Sequence, residues 1–154
     1  MESSKYSEIK KRIKLVNNIG CRFPILTNMF PNISDIDYYT ALSHIMMELL
    51  DQTTRKFENG NLTLEEYKEE KHYIKLQYGI YRYKSFICEY NEQIDEITEE
   101  ERRLNPGCSP LHNEKLRELL SKKSSDQKKL DELLEAYSKP YDNNHSKLGF
   151  NKND

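Results

Sequence analysis

The chain has 154 residues, enough for one domain around one core and too few for two independent domains. Apolar residues make up 36% and charged residues 32%, with five Gly, five Pro and no Trp, a balance that argues against a deep sheet core and favours amphipathic helices. A formal charge of −2 gives no global argument for a nucleic-acid partner.

The core must be thin. Eleven Tyr against five Phe supply much of it, with aromatic bodies that bury area while their hydroxyls reach a rim or a polar partner. Three cysteines, Cys21, Cys88 and Cys108, are an odd number without the dense spacing of a disulfide-stapled domain, so a reducing, cytoplasmic compartment is expected. The start, MESSKYSEIKKR, lacks the apolar stretch of a signal peptide, and no run approaches the roughly eighteen apolar residues of a membrane span. Abundant Lys, Asn, Ile and Tyr suggest an AT-rich genome, which says nothing about mechanism.

In chain order, Ser3 or Ser4 caps a first predicted helix with Tyr6, Ile9, Ile13, Val16 and Ile19 on one face, stopped by Asn17, Asn18 and Gly20. Its other face is basic. Lys10, Lys11, Arg12 and Lys14 are candidate phosphate-binding residues, set against the plainer reading of a solvated helix side. The following CRFPILTNMFPNI is interrupted by Pro24 and Pro31 yet too apolar for a solvated linker, so it reads as an ordered connection or a docking patch.

Ser34 followed by Asp35 and Asp37 announces a second helix, because a side-chain oxygen and two negative charges complement the unpaired amides of a first turn. Ile36, Tyr39, Leu42, Met46, Leu49, Thr53 and Phe57 form its stripe, broadened by Ile45 and Leu50, until Asn59, Gly60 and Asn61 end it. Thr63 with Glu66 is a capping box that starts a third helix at once, folded back on the second. The stretch LLDQTTRKFENGNLTLEEYKEEKHYI resembles the short helix-turn-helix module found at the C-terminus of many bacterial proteins, in its Gly, capping Thr, acidic pair and aromatic order. The resemblance implies the folded-back helix pair and no activity.

The third helix carries the strongest pattern of the chain. Tyr73, Leu76, Ile80, Tyr83, Ile87, Tyr90, Ile94 and Ile97 recur at intervals of three and four, a coiled-coil-like seam and a candidate partner-facing surface. A second stripe, Tyr67, Ile74, Tyr78, Tyr81 and Cys88, is offset from it, and a helix apolar on two sides sits between two neighbours. Gly79 lies between the stripes, where a bend or a close crossing is expected. The end of the helix is acidic, from Glu89 to Glu101, a charge opposite to that of the first helix, so the two regions are candidates to pair within the fold or between copies.

LNPGCSPLHN breaks the pattern before Asn113 caps a last helix with Leu116, Leu119, Leu120, Leu130, Leu133, Leu134 and Tyr137. Its polar middle, SKKSSDQKK, predicts either a kink near Ser124 and Ser125 or a segment projecting into solvent. Cys108 and His112 share one loop, but a structural zinc site needs four ligands and no second pair is present. Cys88 lies on the inner stripe as a small core residue, and His44 and His72 make no His-x-x-x-His or Glu-x-x-His pair. No Gly-rich phosphate loop exists among the five glycines.

These features predict an all-α protein: a small helical bundle built on an antiparallel helical hairpin with one long coiled-coil-like helix, residues 1–140 forming one helical domain and 141–154 a flexible tail. The expected role is non-enzymatic, without cofactor or metal: a protein-protein interaction, adaptor or assembly protein that binds a partner or itself, such as a subunit of a larger complex or a small viral or parasite-encoded binder. The alternative is a nucleic-acid- or ribosome-associated factor using the basic first helix.

Overall fold

A computed structural model of the chain describes residues 34–141, and the first predicted helix, the CRFPILTNMFPNI segment and the tail beyond Tyr141 lie outside them. The described part is all-helical, with three α-helices, one short 3-10 turn and no strand. Helix α1 spans Asp35–Glu58, α2 spans Leu64–Leu104, the 3-10 turn is Pro110–His112, and α3 spans Glu114–Ser138.

Local chemistry sets each boundary. Ser34 Oγ accepts from the Asp37 amide at 3.1 Å, and Asp35 and Asp37 fill the first turn of α1. Asn59 closes its C-terminus, and Gly60 takes the positive φ of 78° that lets the chain reverse within a few residues. The capping box forms as expected: Glu66 N–H donates to Thr63 Oγ1 at 3.1 Å, while the Thr63 amide donates to Glu66 Oε1 at 2.9 Å. Asn113 Oδ1 then caps α3 by accepting from the Leu116 amide at 3.0 Å.

Contacts between α1 and α2 run in opposite senses along the chain. Phe57 stacks on Tyr67 with centroids 4.5 Å apart, whereas Tyr39 stacks on Tyr81 at 6.4 Å and Thr40 shares a hydroxyl hydrogen bond with Ser85 at 2.9 Å. The second stripe of α2 therefore faces α1. The first stripe faces α3: Tyr73 meets Tyr137 edge-on at 5.9 Å, Lys129 lies over the Tyr83 ring at 5.9 Å, and the Tyr90 hydroxyl donates to Asp126 Oδ2 at 2.9 Å.

The largest core cluster sits where all three helices overlap, and Leu116 and Leu119 are buried apart from it at the start of α3. Every buried residue of α2, namely Leu76, Ile80, Tyr81, Ser85 and Ile87, falls in that window. Opposite them lie Tyr38, Ala41, Leu42, Ile45 and Met46 of α1 and Leu130 of α3. Burial raises the pKa of the Tyr38 phenol to about 12, with Tyr39 adding to it, and pushes Tyr81 up still further, because a phenolate would lose its hydration there.

Two details depart from the sequence pattern. The last helix runs unbroken through its polar middle, which stays beside α2 with Asp126 on the Tyr90 hydroxyl and Lys129 over the Tyr83 ring, so this segment does not project past the bundle; Ser121, Lys122, Ser124 and Ser125 are its exposed side. Leu120 and Leu134 are exposed rather than buried, because each is offset by one residue, about 100° around the helix, from Leu119 and Leu133, and Tyr137 is 40% exposed although its ring meets Tyr73. The small Ala136 is buried in their place.

Gly79 marks a close crossing. A Cβ built there would lie 2.9 Å from Leu133 Cδ1, inside ordinary contact distance. Gly79→Leu is therefore expected to cost about 1–3 kcal/mol in urea unfolding through overpacking, and less in a Leu133→Ala background where the opposing side chain is gone. Equal costs in the two backgrounds would contradict the crossing. In an alkaline titration, folding holds Tyr38 and Tyr81 protonated above their unfolded pKa, so their contribution is complete below pH about 10 and is lost as pH rises toward their folded values. Tyrosinate absorbance should show these phenols ionising together with loss of helical circular dichroism.

Candidate functional site

The candidate residues from the sequence fall in two places. Lys10, Lys11, Arg12 and Lys14 lie outside the described residues. The seam is described along its whole length: Leu76, Ile80 and Ile87 are buried, and Tyr73, Tyr83, Tyr90, Ile94 and Ile97 are half-buried. Contacts of Tyr73, Tyr83 and Tyr90 with α3 show that the seam is occupied by the chain's own last helix along much of its length.

Among the described residues, no group of three His, Cys, Asp or Glu side chains is placed to hold a metal ion. Cys108 is exposed, Cys88 is half-buried, and both thiols are free. Burial is the main cause that pushes the Cys88 thiol up, away from the thiolate form a nucleophile needs. His72 packs edge-on between Tyr73 and Tyr141, each ring 5.2 Å away. No described helix is long and apolar enough to cross a membrane.

Among the described residues, the exposed loop between α2 and α3 is held by a network of side-chain bonds, although the sequence presents it only as a break. Its organiser is Glu101, in the last turn of α2. One carboxylate oxygen accepts from Asn113 Nδ2 at 2.9 Å; the other accepts from Asn105 Nδ2 at 3.1 Å and faces His112 Nε2 at 2.8 Å. These donors hold the Glu101 carboxyl below the usual carboxylate range, the Asn113 bond foremost. Asn113 uses both ends of its amide here, with Oδ1 on the α3 cap and Nδ2 on Glu101, so one side chain ties the end of α2 to the start of α3.

Further bonds complete the loop. Gly107 adopts φ 87°, Cys108 N–H reaches the Asn105 carbonyl at 3.1 Å, and Arg117 Nη1 donates to the Leu111 carbonyl at 2.7 Å. Against this polar frame stand two apolar side chains with little cover: Leu104 is 58% exposed and Leu111 is 54% exposed. The sequence signal for the frame was Glu101 four residues before Asn105 and Asn113 at a cap position, but a glutamate within an acidic run reads as solvated until the loop brings Asn113 and His112 back to it.

Comparison with protein-family models, with curated proteins and with solved structures finds no match for this chain.

The clamp makes a charge-specific prediction. Asn113→Asp keeps a good helix cap but replaces the amide donor with a carboxylate facing Glu101, so thermal melting at neutral pH should fall by a few degrees, and Glu101→Gln in the same chain should restore most of it. Because the Glu101 pKa is lowered on folding, its contribution is present above the ordinary carboxylate range and disappears as pH falls through the lowered value. The Asn113→Asp penalty should therefore shrink in acid. A penalty that persists unchanged in acid and in the Glu101→Gln chain would contradict the clamp.

Proposed function

We propose that the chain is a non-enzymatic protein-protein interaction module, a helical hairpin and coiled-coil-like long helix that holds the α2–α3 loop as a docking tip for a protein partner. The observation that carries the reading is the pairing of a fixed polar frame with the exposed Leu104 and Leu111. Exposed apolar side chains on pre-organised backbone lose little conformational entropy when a partner covers them. An adaptor or assembly role follows from such a tip, and a cytoplasmic setting agrees with the free thiols of Cys88 and Cys108.

The test compares 154-residue chains immobilised in parallel, with extract from the native source before and after nuclease treatment. The unmodified chain and a Leu64→Asp control, altered near the α1–α2 turn, should retain the same protein partner, and the Leu104→Asp, Leu111→Asp chain should lose it while melting normally. Retention that survives the paired change removes the docking tip. Retention that vanishes with nuclease and with neutralised Lys10, Lys11, Arg12 and Lys14 replaces this reading with the nucleic-acid one.

A further inference from the structure

Both ring nitrogens of His112 face acceptors. Nδ1 lies 2.7 Å from the Ser109 carbonyl oxygen, and Nε2 lies 2.8 Å from Glu101 Oε2. A neutral imidazole has one N–H and one lone pair, so it can donate to only one of these partners and turns a lone pair toward the other. Only the doubly protonated ring satisfies both. The Glu101 side chain is mostly covered, at 13% exposure, whereas the His112 side chain is 51% exposed and open to exchange its proton with water.

We propose that Glu101 and His112 form a proton-dependent latch that ties the Pro110–His112 turn to the end of α2. The latch is closed while the ring is an imidazolium and the carboxylate is ionised. On the alkaline side it loosens when the ring gives up its Nδ1 proton to solvent: Nε2–H stays on the carboxylate without the ring's positive charge, and a lone pair is left against the Ser109 carbonyl that ties the ring to its own turn. On the acid side it opens when Glu101 takes up a proton.

The other ionisable groups of the surrounding elements do not substitute for the pair. Arg102 and Arg103 lie in the last turn of α2 and Glu114 in the first turn of α3. Arg117 is committed to the Leu111 carbonyl, and Cys108 is the remaining titratable side chain of the loop itself. Asn105 and Asn113 bond Glu101 in either state of the ring, so the α3 cap persists when the latch opens. What is released is the 3-10 turn, whose backbone bonds are the long His112 N–H to Ser109 contact at 3.4 Å and the Asn113 N–H to Pro110 contact at 3.1 Å. Leu111 sits in that turn, so the latch sets how firmly one half of the docking tip is presented. This regulatory sense rests on the docking reading; the latch does not.

The experiment is residue-resolved amide hydrogen exchange of the full chain across pH about 5.5 to 8.5, the window in which imidazole changes charge, corrected for intrinsic exchange. Protection of the His112 and Asn113 amides should fall about two- to fivefold over that range, as for a surface ion pair. His112→Gln should give a flat profile at the lower protection, and Glu101→Ala should do the same, with helical circular dichroism retained in both. A flat profile in the unmodified chain, or the same pH slope in His112→Gln, overturns the latch. Partner retention is scored separately: losing it with the pH slope intact defeats only the docking reading, and losing the slope with retention intact defeats only the latch.

Discussion

The arrangement depends on one helix having to bury two faces at once. Helix α2 has 41 residues and, at about 1.5 Å per residue, is roughly 60 Å long. Helices α1 and α3 have 24 and 25 residues, so neither can accompany it from end to end. Contacts place α1 beside the first part of α2, from Tyr67 to about Ser85, and α3 beside the later part, from Tyr73 to Glu101. Both neighbours are present only in the middle, which is where the buried residues of α2 gather. Outside that stretch the apolar burial falls to α3, at Leu116 and Leu119.

The stripe that faces α1 shows how the sequence accommodates this. It is apolar or small from Ile74 through Tyr78, Tyr81, Ser85 and Cys88, and then continues at the same three-four spacing as the exposed Glu92, Asp95 and Glu99. The change in chemistry occurs where the contacts with α1 run out. The stripe facing α3 stays apolar further, through Tyr90, Ile94 and Ile97, because α3 is still beside it. Tyrosine suits the boundary. Tyr90 covers apolar surface with its ring while its hydroxyl bonds Asp126, and the Tyr137 hydroxyl accepts from Gln77 Nε2 at 2.7 Å.

Much of this was legible in the chain itself, for a physical reason. Helix ends depend on neighbours three or four residues away, so Ser34 with Asp37, Thr63 with Glu66 and Asn113 with Leu116 could be read without tertiary knowledge. Two stripes on one helix likewise imply two neighbours. The width of each neighbour is a different matter. Leu120 and Leu134 look like core residues beside Leu119 and Leu133, and it takes the placement of α3 against α2 to show which side of α3 is left at the surface among the described residues. The Glu101 frame was illegible for the complementary reason, since its partners His112 and Asn113 are eleven and twelve positions away through a Pro- and Gly-containing loop. Local rules do not reach across such a loop.

At the far end of α2 no residue of that helix beyond Ile87 is buried, and the apolar cover comes from Leu116 and Leu119 of α3. Beyond Cys88 the helix has α3 beside it, and the last turns of such a pair ordinarily fray, because few apolar contacts offset the entropy of ordering them. The loop adds hydrogen bonds to a charged group to the burial of Leu116 and Leu119 in the first turns of α3: one carboxylate gathers three side-chain partners, and one asparagine joins both helices. Such bonds tolerate water, so they can keep an exposed loop ordered where a greasy contact would have to be covered. Leu104 and Leu111 take almost no part in that work, since each is more than half exposed while the bonds around them run through backbone and polar side chains. Their chemistry is thus spare to the fold, and a rigid frame beside spare apolar surface is the arrangement in which association with a second molecule costs little entropy.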